Sequence, residues 1–222
     1  MSVPLLDAIS IHGKTITADA LLTQHKFANY VVGRQADYHF TVKNNQPTLR
    51  EDIAFFFENR QEPDFIEHTP PDHGRIETRK IWTTTALNQY LKFPHVGQAF
   101  VIERESIEKK TGKFTHEVVY GVTSCTPEKA NPEKVLKTNR EHWSIENSCH
   151  YVIDWNYNED RCRISKGYGP ENITRLRRFA VGLIKSKGAD CVAQKMRELT
   201  QNTRLVFDYL KMTKNSCAVG CL

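Results

Sequence analysis

The stretch KTITADALLTQHKFANYVVGRQADYHFTVK, residues 14–43, carries two hydrophobic periods in succession. In KTITADA (14–20), Ile16 and Ala18 alternate with Thr15, Thr17 and Asp19, the period of two expected of a strand. LLTQHKFANYVV (21–32) then predicts a helix with Leu21, Ala28 and Val32 on one stripe. DYHFTVK (37–43) returns to a strand, and LREDIAFFFENR (49–60) predicts a second helix. Strands alternating with helices at this spacing point to an α/β fold with a parallel sheet.

The texture changes downstream. QEPDFIEHTPPDHG (61–74) reads as a proline-rich break. After it RIETRKIWTTT (75–85), QAFVIERESIE (98–108) and THEVVYGVTS (115–124) predict longer strands, the last two joined by the hairpin turn KKTGK. The remainder predicts helices over 132–153, 171–187 and 190–211. Asn131-Pro132-Glu133 and Pro170-Glu171 mark helix starts, and Gly188 marks a stop. Three regions follow: 1–60, a β-rich segment over 61–125, and a helical part over 126–215.

At 222 residues, 39% hydrophobic and 26% charged, the composition is that of a globular protein. No run of about 18 apolar residues is present, so no membrane helix is expected. MSVPLLDAIS lacks the basic and apolar regions of a secretory signal. The cysteines at 125, 149, 162, 191, 217 and 221 form no C-x-x-C pair and read as reduced thiols of a cytoplasmic protein. Charge is the uneven property. Residues 161–187 hold Arg161, Arg163, Lys166, Arg175, Arg177, Arg178, Lys185 and Lys187 against the single acid Glu171, while the whole chain nets +5. A one-sided block of this length is a candidate polyanion contact; its bland alternative is a solvated helix face.

Two carboxylates stand out. Asp19 closes the strand KTITADA, and open α/β sheets place their sites just beyond the carboxyl ends of strands. An N-cap of the next helix is the competing role. Glu146 lies in NREHWSIENSCHYVIDWNYN (139–158). On a helix there, Ile145, Cys149, Val152 and Ile153 would form the sheet-facing stripe, with Glu146 about 100° away at its edge. An ordinary exposed helical glutamate is the alternative. His142, Glu146 and His150 recur at i, i+4, i+8, which raises zinc, but three ligands from one straight helix converge poorly on a tetrahedral ion.

Four motifs in order carry a resemblance: ITADALLTQ (16–24), ADYHFTVKNNQPTL (36–49), DHGRIETRKIW (72–82) and REHWSIEN (140–147). Together they resemble bacterial insertion-sequence DDE transposases, in the subfamily with HGRIExR and RxHWxIEN motifs. The resemblance implies an RNase H-like core in which three carboxylates hold two Mg²⁺ ions at a DNA phosphodiester. Asp19 and Glu146 fall on the second and third carboxylate positions, as catalytic and metal-binding residues. The expected DNA-facing set is Lys43, Arg75, Arg79, Arg140, His142, Trp143 and Asn147, with Arg161, Arg163, Lys166, Arg175, Arg177 and Arg178 from the basic block. Where related transposases carry Arg before the tryptophan, this chain has His142, and an apolar stretch replaces the later Lys, so that phosphate contact is not carried over.

The first aspartate of the family has no counterpart, since Asp7 falls in the helical stretch PLLDAIS. The expected fold is therefore an incomplete RNase H-like core without its early strands. A β-rich insertion separates the second and third carboxylates, and the C-terminus is helical. The expected function is that of a truncated, catalytically incomplete transposase acting on element-end DNA. Its partners would be the missing N-terminal fragment or a second copy, with no membrane. A non-catalytic DNA-binding remnant and a zinc hydrolase are the alternatives. Loss of a neighbouring strand also predicts that residues 1–60 are less protected than the helices over 132–211.

Overall fold

In the computed structural model, residues 6–72, 74–143, 151–157 and 161–213 are described. They divide into two compact units, residues 1–142 and 143–222.

The first unit is built on one six-stranded sheet. Its strands are β1 (Thr15–Ala18), β2 (Asp37–Val42), β3 (Phe65–Asp72), β4 (Arg75–Thr84), β5 (Gln98–Glu108) and β6 (Phe114–Thr123), in the spatial order β1-β2-β6-β5-β4-β3. Helices α1 (His25–Gly33) and α2 (Pro47–Phe56) follow β1 and β2, and α3 (Pro132–His142) follows β6. Only β1 and β2 run parallel, paired from Thr15 with Asp37 to Ala18 with Phe40; every other pair is antiparallel. The parallel sheet expected from the αβ alternation is thus confined to its first two strands. The β3–β4 and β5–β6 connections are tight turns with Gly74 at φ +77° and Gly112 at φ +68°, and a turn that short can join only antiparallel neighbours.

Strand β3 lies within the segment read as a proline-rich break. It is the outer edge of the sheet, and its pairing with β4 shifts between Thr69 and Asp72, around Pro70 and Pro71. An edge with a register irregularity is where a sheet tolerates residues that cannot donate to the ladder. Helix α1 also starts later than its periodicity predicts. Residues Ala20–Leu22 form a 3-10 turn, Leu21 is 75% exposed, and the buried stripe is Phe27, Ala28 and Val31.

Strand β2 is buried along most of its length because both of its faces are covered. On one side Tyr38, Phe40 and Val42 pack with Phe27, Ala28 and Val31 of α1 and Leu49 and Ile53 of α2. The rings of Tyr38 and Phe40 stack at 4.6 Å, and those of Phe27 and Phe40 at 5.6 Å. The second cluster joins Val135 and Leu136 of α3 to Ile81, Phe100 and Ile102. Gly121, paired with Phe100, leaves room for its ring: a Cβ there would lie 2.1 Å from the Phe100 ring. The first sixty residues thus hold much of the core. β1 is an edge strand as expected, and Phe27, Ala28 and Val31 of α1 and Leu49 and Ile53 of α2 are buried in the core it borders.

The second unit is helical: α4 (Tyr151–Tyr157), α5 (Gly169–Ser186), α6 (Val192–Gln201) and α7 (Thr203–Tyr209). Its core is small, with Ile153, Val181, Ile184 and Val192 buried together. Ile153 therefore packs among helices rather than in a sheet-facing stripe. The predicted helix over 190–211 breaks at Asn202 (φ −142°, ψ 97°), whose side chain accepts the N–H of Arg204 at 3.1 Å. Of the predicted helix over 132–153, α3 and the start of α4 are described, whereas Ile145, Glu146, Asn147, Cys149 and His150 lie outside the described residues. The units part after His142, and the sheet runs across the boundary expected near residue 60 because β6 pairs with β2. No described helix is long and apolar enough to cross a membrane.

Candidate functional site

Parallel β1 and β2 end side by side, and the residues just past their carboxyl ends face one another. Asp19 is the first residue after β1. Its Oδ1 accepts the N–H of Ala20 at 2.7 Å, capping the 3-10 turn, and lies 3.6 Å from Nζ of Lys43, the first residue after β2. Both side chains are more than half exposed. The capping role weighed against a functional one is therefore real, but it occupies one carboxylate oxygen at an open position.

The loop after β2 holds this turn through three consecutive contacts. Lys43 meets the Asp19 carboxylate, Asn45 donates its amide N–H to the Ala20 carbonyl, and Gln46 donates to the Thr23 carbonyl at 3.1 Å. Thr23, fully buried, donates its hydroxyl to the Thr41 carbonyl at 2.7 Å. Asp19 consequently sits on a turn fixed at both ends to β2 and its loop. The segment KNNQ was legible as a turn; that its side chains brace Asp19 appears only in three dimensions.

Beside them opens a cleft of about 540 Å³ lined by Asp19, Lys43, Asn44, Asn45, Arg50, Glu117 and Tyr120. It exists because β2 stops at Val42 while β6 continues, leaving Phe114–Val119 without a neighbour on that side. Arg50 lies over the Tyr120 ring at 5.4 Å, and the Glu117 carboxylate is 3.5 Å from Arg104. The cleft therefore mixes hard oxygen donors with two cations. Asp19, already shared with Lys43, and Glu117, shared with Arg104, are too few and too neutralised to hold Mg²⁺ by themselves.

Helix α3 docks on the same strands by polar contacts that periodicity does not reveal. His142 Nδ1 lies 3.0 Å from Thr17 Oγ1, two residues before Asp19, and buried His39 Nε2 lies 3.4 Å from Asn139 Oδ1. Burial lowers the His39 pKa to about 4; the Asn139 hydrogen bond opposes the shift and the nearby His142 adds to it. His39 also stacks on Phe100 at 4.7 Å. Both histidines join α3 to the sheet, His39 through Asn139 and His142 through the Thr17 hydroxyl.

The other sequence-derived positions separate. Arg79 is largely buried among the carboxylates of Glu67 and Glu77, with Arg104 on the far side of Glu77 at 2.7 Å, and Arg140 pairs with Glu67. Burial pushes Glu77 up, but its bonds to Arg104 and Arg79 outweigh this and hold it below the ordinary glutamate range. Arg79 and Arg140 thus both pair with Glu67 of β3. Arg75 is exposed at the start of β4. In the helical unit Trp143, Arg161, Arg163, Lys166 and Arg178 are exposed, and Arg175 is exposed while pairing with Glu171 at 2.5 Å. Arg177 is half-buried over the Tyr157 ring at 6.0 Å. Glu146 and Asn147, with the His150 of the zinc alternative, lie outside the described residues.

One group of possible metal ligands occurs elsewhere among the described residues. Ligand atoms of Glu103, Glu105 and His116 lie within 4.8 Å of one another. Arg60 pairs with Glu103, and Lys80 pairs with Glu105 at 3.0 Å, so both carboxylates already have cationic partners.

Against known proteins, residues 2–175 match the family model described as Transposase DDE domain. Among curated proteins, "H repeat-associated putative transposase YhhI" of Escherichia coli K12 is 28% identical over 192 residues, covering 81% of this chain and 50% of that protein. "Putative transposase YncI" of Escherichia coli O157:H7 is 26% identical over 216 residues, covering 93% of this chain and 55% of that protein. The chain spans about half the length of these relatives.

Proposed function

Because the chain belongs to the transposase DDE-domain family, we propose that it is the part of an insertion-sequence transposase that supplies Asp19 and Glu146 to a divalent-metal site acting on DNA. The observation that carries this is Asp19 itself: an open carboxylate at the carboxyl end of the parallel strand pair, braced by Lys43, Asn45 and Gln46. Glu146 enters by resemblance, as the glutamate of REHWSIEN (140–147). Hard carboxylate oxygens suit Mg²⁺, which would activate the attacking oxygen and stabilise the leaving one.

Within this scheme residues 1–142 supply an incomplete RNase H-like core with a β-rich insertion. Asp19 contributes one metal-binding carboxylate and Lys43 restrains it between turnovers. The exposed cations Arg161, Arg163, Lys166, Arg175 and Arg178 contact DNA phosphates at element ends. The family's first carboxylate, which Asp7 does not supply, comes from a partner polypeptide that carries the N-terminal transposase segment. The chain alone therefore binds DNA without cutting it.

A nicking assay on element-end DNA with Mg²⁺ tests the scheme. The expected result is salt-sensitive binding and no nicking by residues 1–222, with nicking restored when the N-terminal half of a relative is supplied and lost again in Asp19→Asn or Glu146→Gln. Nicking by the chain alone that disappears in Glu146→Gln overturns the missing-carboxylate part. Restored nicking that survives both substitutions overturns the site.

A further inference from the structure

From the far end of the sheet we infer a second DNA contact, distinct from the basic helical block: a lysine-tipped β wedge formed by the β5–β6 turn and the adjoining ends of β4, β5 and β6. It rests on the DNA-binding function proposed above and adds a surface to it.

The turn Lys109-Lys110-Thr111-Gly112-Lys113 places three exposed lysines on one hairpin, and among the described residues none of them has an acidic partner. The turn is held in shape. Gly112 adopts φ +68° and donates its N–H to the Glu108 carbonyl at 2.8 Å, and Thr111 donates its hydroxyl to the Glu108 carboxylate at 2.6 Å. The Lys109 N–H bonds the Gly74 carbonyl at 2.8 Å, fastening this turn to the neighbouring one. Cations on a pre-shaped turn lose little backbone entropy on meeting a polyanion.

Behind the lysines lies an apolar ladder. Ile76 is directly opposite Ile107, and Ile107 directly opposite Phe114, so the three side chains line one face at the same level. They are 42%, 44% and 58% exposed, although side chains of this size usually pack away from water. A rigid tip with cations in front and an apolar strip behind matches duplex DNA: the lysines meet phosphates, and the strip lies against sugars and base edges in a groove. A second copy of the chain would satisfy the apolar strip but would bring the same three lysines, which repel. Charge complementarity therefore selects DNA.

The test uses the full chain and a fluorescein-labelled duplex of mixed sequence titrated with KCl. Lys109→Gln/Lys110→Gln/Lys113→Gln should weaken binding about tenfold at low salt and lower the salt slope by roughly one unit per lost phosphate contact. Phe114→Ser should weaken binding and leave the slope unchanged. If the triple variant binds as the wild type does while Arg175→Gln/Arg178→Gln weakens binding, the wedge is refuted and the DNA-binding function stands. Wild type that fails to bind DNA refutes both. Phe114→Ser that only dissolves an oligomer seen by sedimentation, with DNA affinity unchanged, makes the ladder a self-association surface and overturns the inference.

Discussion

The sheet unit and the helical unit bury their apolar residues in different ways. Around β2, helices cover one face with Phe27, Val31 and Ile53 and enclose Tyr38 and Phe40, while on the other face His39 is buried against Phe100 of β5 and Asn139 of α3. In α4 to α7 the buried cluster is Ile153, Val181, Ile184 and Val192, while Leu176, Phe179, Leu205 and Phe207 remain exposed. The candidate carboxylate Asp19 stands on the first; the basic block stands on the second. A metal-binding carboxylate must be held to a fraction of an ångström, which calls for a rigid support. A phosphate contact through long basic side chains acts over several ångströms and tolerates a looser one.

The contrast breaks first under core truncation. Phe40→Ala should destabilise the sheet unit by about 3–5 kcal/mol, and Val181→Ala the helical unit by clearly less. Denaturant unfolding followed separately in each unit measures both, and equal losses would show that the helical cluster is as tightly packed as the sheet. Amide exchange gives the same comparison without mutation, with residues 27–42 expected to exchange more slowly than residues 151–209.

Acid should also act mainly on the sheet. The His39 pKa lies at about 4 in the folded chain, below the ordinary 6.5, so the unfolded chain binds the proton more readily. This destabilisation is absent above about pH 6.5, grows as pH falls toward 4, and levels off below that, reaching on the order of 3 kcal/mol. His39→Gln should flatten the dependence. An unchanged slope of stability against pH in the variant would remove His39 as its source.

Gly121→Ala is expected to cost about 1–3 kcal/mol, since its Cβ would strike the Phe100 ring. Gly182 on α5 meets nothing within 4 Å at the same added atom, and Gly182→Ala should stabilise the helix slightly. Opposite signs in thermal unfolding would sharpen the contrast; equal losses would blunt it. Smallest are the ion pairs. Glu77→Gln, which weakens a largely buried carboxylate held by two arginines, should lower stability measurably. Glu171→Gln, which breaks an exposed i, i+4 pair, should leave it within error.

Much of the strand pattern was legible because β-branched and aromatic residues gather in short runs bounded by turn signals, as in β2, β4, β5 and β6. What periodicity missed has specific causes. β3 was hidden by Pro70 and Pro71, which an edge position accommodates. The start of α1 was displaced because Asp19, Ala20 and Leu22 form a 3-10 turn before the helix begins. Asn202 divides the last predicted helix by capping its second half, a local competition that an apolar stripe does not register. At the site, Asp19 and Lys43 could be named from sequence, while His39, Asn139 and Thr17 could not. Their contacts join residues 100 and 125 positions apart.

By itself the sequence determined the motif order, the strand that leads into Asp19, the hairpin turn at Gly112 and the concentration of charge over residues 161–187, because each depends on neighbours along the chain. Tertiary structure alone decided that β6 returns to pair with β2, so that two sequence regions share one sheet. It also decided that Arg79 and Arg140 are spent on Glu67 and Glu77, and that Lys109, Lys110 and Lys113 stand beside the exposed ladder of Ile76, Ile107 and Phe114. The physical reason is the same throughout: the ladder register between strands, which fixes these partners, is chosen by burial of the whole sheet rather than by any one segment.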